Sequence, residues 1–113
     1  MTNIIRLIVY PAKDLAKTKS IFSKFLGVEP YVDSGYYVGY KTDNHEVGLD
    51  PHGQAVICYI DVDDIKKSIQ ILIDAGAVVH QDIRDIGGGM VIAQVRDPSG
   101  NILGFRGPKQ GRS

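Results

Sequence analysis

The sequence is written twice. Residues 7–28, LIVYPAKDLAKTKSIFSKFLGV, align with residues 57–78, ICYIDVDDIKKSIQILIDAGAV, at a constant offset of fifty. Leu7 falls on Ile57, Asp14 on Asp64, Leu15 on Ile65, Lys17 on Lys67, Ile21 on Ile71 and Val28 on Val78. Each copy reads as a buried strand, an Asp that caps a helix, an amphipathic helix and a return to extended chain. Further on, Val47-Gly48-Leu49-Asp50 is echoed by Leu103-Gly104-Phe105-Arg106. Tandem modules of this kind imply an α+β fold in which two half-sheets form one curved mixed sheet around a concave cavity, with the helices outside. A chain of 113 residues holds one core but not two independent ones. The expectation is therefore a single domain, with module one at about residues 3–50, module two at about 55–107 and a tail at 108–113.

Ile4–Tyr10 is nearly continuous apolar chain broken by Arg6, and reads as a strand ending at Pro11. Asp14 then caps a helix running to Leu26, with Leu15, Ile21, Phe22, Phe25 and Leu26 on its inner face and Gly27 as its stop. Three short strands follow between Val28 and Asp50, parted by turn chemistry at Ser34-Gly35 and Thr42-Asp43-Asn44. Pro51-His52-Gly53 is the junction between the copies. Ala55–Val62 reads as the second buried strand. A helix follows from Asp63 or Asp64 to Ala75, with Ile65, Ile69, Leu72 and Ile73 inside and Gly76 at its end. Val78–Arg84, Met90–Val95 and Ile102–Phe105 complete the second set, so the order is βαβββ twice. Both alternating sets of the leading strands are apolar. One helix per module covers only one sheet face, so something else must cover the other.

Thirteen basic and thirteen acidic side chains cancel, which leaves no field to draw the chain to nucleic acid or a membrane. The one basic cluster, Arg106–Arg112, reads as a frayed terminus. Cys58 is the sole cysteine, so no intrachain disulfide forms, and its parity places it beneath the second helix as a small hydrophobe. The start has neither the basic nor the apolar region of a signal peptide, and no apolar run approaches the ~20 residues of a membrane span. A cytoplasmic protein is expected.

The βαβββ duplication and the stretch Val95-Arg96-Asp97-Pro98-Ser99-Gly100-Asn101-Ile102-Leu103-Gly104 resemble the vicinal oxygen chelate superfamily, which includes glyoxalase I, bleomycin-resistance proteins and extradiol dioxygenases. Val9-Tyr10-Pro11-Ala12-Lys13-Asp14-Leu15, running on to Phe25-Leu26-Gly27-Val28, is similar to that group's opening segment. The resemblance covers about residues 3–107. It implies a divalent metal held by His, Gln or Glu at four strand positions: seven residues before the helix-starting Asp of each module, and on each module's last strand. Those positions here read Leu7, Ile57, Gly48 and Gly104. None offers a ligand through its side chain, and a divalent ion needs several donors converging at about 2.0–2.4 Å. No metal and no other cofactor are expected, and no catalytic residue is assigned.

What stands at those positions is a roomy apolar floor, the usual setting of a small-molecule site. The ligand-binding candidates are Leu7, Gly48, Ile57 and Gly104 as floor, with Glu46, Tyr59 and Arg106 orienting a flat, partly apolar ligand. Tyr31, Tyr36, Tyr37 and Tyr40 invite an aromatic-cage reading; Tyr36 and Tyr37 point to opposite faces of a regular strand, the candidates are Tyr36 and Tyr40, which share a parity, and Met90 joins them beyond the Gly87-Gly88-Gly89 hairpin. That glycine run lacks the helix behind it that a phosphate loop needs. His45, Glu46, Asp50 and His52 form at most a displaced metal site, because His45 and Glu46 point to opposite faces. His80 stands alone on its strand and reads as structural. The leading function is metal-independent binding or sequestration of a small organic molecule in the manner of the bleomycin-resistance branch, by a homodimer. The alternatives are a metal-dependent lyase, isomerase or dioxygenase, and a protein-interaction module.

Overall fold

A computed structural model describes residues 4–110 of the chain. Arg112, part of the expected basic tail, lies outside the described residues. The element order is βαβββ twice: β1 (Ile4–Pro11), α1 (Leu15–Leu26), β2 (Val32–Asp33), β3 (Val38–Thr42), β4 (His45–Asp50), then β5 (Ile57–Asp61), α2 (Ile65–Asp74), β6 (Val78–Gly87), β7 (Met90–Arg96) and β8 (Ile102–Pro108). The chain divides into two compact units, Arg6–Cys58 and the stretch from Tyr59 onward, with residues 4 and 5 grouped with the latter.

In the first unit the strands lie in the order β2-β3-β4-β1, with β1 parallel to β4 and the other pairs antiparallel. Asp14 caps α1, its side chain accepting from the Lys17 amide at 3.1 Å, and Gly27 closes it in the left-handed region at φ 72°. Leu15, Phe22 and Leu26 pack on Tyr10, Val38, Tyr40, Val47 and Leu49, with the Tyr10 and Phe22 rings 5.3 Å apart. Ile21 and Phe25, expected on that inner face, stand 64% and 86% exposed. The helix buries a narrower stripe than the apolar pattern implied.

The second unit repeats the plan in the order β5-β8-β7-β6, with β5 parallel to β8. Asp64 caps α2 through the Lys67 amide at 3.1 Å, as Asp14 does fifty residues earlier. The helix ends one residue short of the expected Ala75, which is its C-cap. Its core joins Ile65, Ile69 and Leu72 to Ile60, Val62, Val91, Ala93, Val95, Leu103 and Phe105. Ile73 is partly exposed instead.

Cys58 is exposed, against expectation. Its parity with Ile60 and Val62 holds, but α2 packs on β6, β7 and β8, so the beginning of β5 runs out from under it. Gly88 and Gly89, at φ 65° and 78°, make the two-residue turn between β6 and β7, both in the region that a tight hairpin demands. β6 is ten residues long, ends its half-sheet and shifts register against β7 at three places.

Candidate functional site

The face of each half-sheet that its helix leaves uncovered carries the polar chemistry. In the first unit, register pairs Leu7 with Glu46, Val9 with Gly48 and Pro11 with Asp50 across β1 and β4, while β3 sets Gly39 beside Gly48 and Lys41 beside Glu46. Two paired glycines leave a gap in the side-chain layer two strands wide. Tyrosines fill it. The Tyr37 ring lies across both strands, with Cε2 3.1 Å from where a Cβ on Gly39 would stand and Cζ 2.6 Å from where one on Gly48 would stand. The Tyr37 hydroxyl occupies the place that a side chain at position 48 would take. Tyr31 covers the other end of Gly39, donates its hydroxyl to Glu46 Oε1 at 2.6 Å, and lies beneath Lys41 Nζ at 4.5 Å from its ring centre.

A short turn aims these rings. Ser34 Oγ accepts from the amides of Tyr36 and Tyr37 and donates to the Tyr37 carbonyl, and the Ser34 amide donates to the same carbonyl. This folds residues 34–37 tightly enough to turn Tyr37 over the sheet and to leave Tyr36 81% exposed.

In the second unit β5, β8 and β7 set Tyr59, Gly104 and Gln94 side by side, and Asp61, Arg106 and Ile92 beside one another in the same way. Gln94 Nε2 donates to the Tyr59 hydroxyl at 2.8 Å, so the two side chains meet across Gly104. Arg106 pairs with Asp61, Nε to Oδ1 at 2.9 Å and Nη2 to Oδ2 at 3.3 Å. Gln81, in register with Gln94, keeps a buried Oε1 that no hydrogen-bond donor among the described residues meets.

Of the residues expected from sequence, Leu7, Glu46 and Gly48 share the helix-free face of the first unit. Tyr59, Met90, Gly104 and Arg106 share that of the second by register and strand alternation, while Ile57, at the head of β5 and within the first unit, has the parity of Tyr59. Tyr36 and Tyr40 do not join them. Tyr40 is fully buried beneath α1, its hydroxyl donating to the Lys19 carbonyl at 2.9 Å and meeting Ser23 Oγ at 2.8 Å. Tyr36 lies in the turn before β3, where strand alternation does not reach. The floor at Gly48 is not roomy either, because Tyr37 lies on it. Of the four tyrosines of the aromatic-cage reading, the structure places Tyr31 and Tyr37 rather than Tyr36 and Tyr40 on this face, and sequence reasoning missed Asp61 and Gln94. Both were within reach, since Asp61 has the parity of Tyr59 and Gln94 that of Met90.

Among the described residues no three His, Cys, Asp or Glu side chains gather as a metal site needs. His45 is exposed at the head of β4, and Asp50 Oδ1 accepts from the His52 amide at 2.9 Å, which is turn chemistry. His80 is exposed on β6. The divalent metal that the resemblance implies does not fit these residues: its four positions carry two aliphatic chains and two glycines, and a phenol stands over Gly48. An apolar cleft also opens on the helix side of the second unit, between α2 and the sheet, but only Ser68 among its lining residues could orient a ligand.

No family model matches the sequence, and no curated protein does either. Solved structures do match. A hypothetical protein from Bacillus halodurans C-125 is 12% identical with a TM-score of 0.79, over 100% of this chain and 99% of that one. Streptomyces coelicolor methylmalonyl-CoA epimerase, in a variant complexed with 2-nitronate-propionyl-CoA, is 15% identical at 0.72, over 100% and 99%. A glyoxalase/bleomycin resistance protein/dioxygenase superfamily member from Vibrio splendidus 12B01 is 20% identical at 0.70, over 90% and 96%. The chain is thus an α+β protein of two βαβββ modules, each with its helix packed on one face of its own strands. Its fold is that of the vicinal oxygen chelate superfamily.

Proposed function

We propose that the protein binds a small, flat organic molecule without a metal, on a helix-free sheet face. One observation carries the reading: each module's last strand holds a glycine where the resemblance implies a metal ligand, and a tyrosine hydroxyl stands beside that glycine in both. Phenols supply an aromatic wall and a polar tip but do not bind a divalent ion as His or Glu do. Shape and hydrogen bonding are thus what this face offers a ligand. The superfamily named for the Vibrio splendidus structure includes bleomycin resistance, and the epimerase was solved with an organic ligand, which supports the same reading.

Thermal denaturation against a panel of planar aromatic acids, amides and phenols tests it. A ligand at about ten times its Kd adds roughly 1.4 kcal/mol of stability, a Tm rise on the order of 5 °C for a domain of this size. Saturable shifts that disappear in Tyr59→Ala support the reading. Stoichiometric retention of nickel, zinc, manganese or iron(II), measured by mass spectrometry after incubation and desalting, would overturn it in favour of a metal-dependent enzyme.

A further inference from the structure

We propose that a second copy of the chain docks on the outer helix faces, with α1 of one copy lying antiparallel on α2 of the other. This goes beyond the ligand-binding reading, which concerns the helix-free faces, and stands or falls apart from it.

The helices are copies of one another, yet their outer faces are complementary rather than alike. At the fifty-residue offset Lys13 falls on Asp63, Lys24 on Asp74 and Phe25 on Ala75, while Ile21 and Ile71 stay aliphatic. One face is therefore basic with a large side chain, and the other acidic at both ends with a small one. All of these residues are exposed, Ile71 at 59%. Eleven residues part Lys13 from Lys24 and Asp63 from Asp74, about three helical turns, so the charges of each pair stand on one face. An antiparallel pairing thus sets Lys24 level with Asp63 and Lys13 level with Asp74. In that register Lys17 meets Gln70 and Lys67 meets Ser20, so no like charges are brought together. A parallel pairing in the register of the repeat would instead lay Lys17 on Lys67. Asp74 accepts from Gln70 Nε2 at 2.8 Å through one oxygen, which steadies its carboxylate on the helix surface. The same register brings Phe25 level with Val62, a wall of the apolar cleft beside α2. That cleft holds about 220 Å³ between Ile60, Val62, Leu72, Leu103 and Phe105, and a cavity of roughly 150 Å³ suffices for a benzene ring. Its one hydroxyl, on Ser68, donates back to the Asp64 carbonyl at 2.9 Å, so an entering ring strands no donor. Each copy carries both faces, so a twofold dimer makes the contact twice.

The test follows the mass of the full chain by light scattering behind gel filtration, from micromolar to millimolar concentration. Wild type is expected to reach twice the chain mass. Lys24→Asp and Asp63→Lys each set like charges together at both contacts, and each is expected to dissociate at least about tenfold more readily. Mixing these two variants must restore the dimer, because in a mixed pair every charge again meets its opposite. Phe25→Ala is expected to weaken the dimer by at least about tenfold and to leave the Tm of the single chain unchanged, since its ring packs on nothing there. A wild type that stays at one chain mass throughout would overturn the proposal. So would a dimer that Lys24→Asp and Phe25→Ala leave intact, or charge variants that do not recover on mixing. Masses that grow past two copies would overturn the twofold closure of the contact.

Discussion

The two units solve one problem by different routes. Gly48 and Gly104 occupy matching places: their β1 and β5 register partners, Val9 and Tyr59, are fifty residues apart, as the repeat requires. In the second unit the phenol comes from that partner strand itself, and Gln94 steadies it from the opposite side. In the first unit the partner is Val9, which has no polar group, and the phenol arrives from a turn two strands away. A repeated backbone therefore keeps a chemical group at a position without keeping the residue that supplies it. The strand-borne phenol depends on register alone. The turn-borne one depends on two glycines and a serine.

That contrast is most open to breakage at Gly48. Gly48→Ala places a methyl group against the Tyr37 ring and should cost about 1–3 kcal/mol in urea denaturation. The same change in a Tyr37→Ala background should cost almost nothing, because the obstructing ring is gone. A full cost in both backgrounds would mean that Tyr37 does not lie on Gly48. In the second unit, Tyr59→Phe strips Gln94 of its acceptor and should lose about 0.5–1.5 kcal/mol by the same assay. Gln94→Leu made on top of it should then add little, which would identify the pair as the unit of stabilisation.

The helix starts sharpen the comparison from the side where the units agree. Asp14→Ala and Asp64→Ala each remove one carboxylate-to-amide bond of equal length, so each should cost about 1 kcal/mol. Unequal losses would show that the repeat is less even energetically than geometrically. The smallest effect is expected at Asp97, which only the second unit has, in the turn joining β7 to β8. Hydrogen bonds from the Asn101 side chain and amide, aided by the amides of Ser99 and Gly100, hold its carboxyl below the usual carboxylate range. A lowered folded-state pKa adds stability that is fully present above the unfolded value of about 3.9 and is lost as pH falls through the folded one. Asp97→Asn should therefore lower Tm slightly at pH 7, and the gap to wild type should close below about pH 4.

Much of this was legible before any coordinates. Caps at Asp14 and Asp64, stops at Gly27 and Gly76 and the βαβββ order follow from local chemistry repeated at a fixed offset. Strand parity sorted Tyr59, Gly104 and Arg106 onto one face. Parity says nothing of residues outside a strand, and so it could not choose Tyr37 over Tyr36: the position of Tyr37 is set by the Ser34 turn and by the empty space over two glycines. Ile21, Phe25 and Cys58 were misjudged for a related reason. An apolar pattern identifies what is able to be buried, whereas the width of the surface beneath a helix decides how much of it is.

β6 has a consequence for how the molecule survives in a crowded solution. Ten residues of outer strand bearing exposed Val78, Val79, Ile83 and Ile86 would, if straight, invite another chain to add itself by backbone hydrogen bonding. The three register shifts spoil the even spacing of amides and carbonyls that such an addition needs. Asp82, Arg84 and Asp85 set charge among the apolar residues. An edge so broken and so charged is a poor template for another strand, so irregularity that looks like poor sheet serves as protection against edge-to-edge pairing.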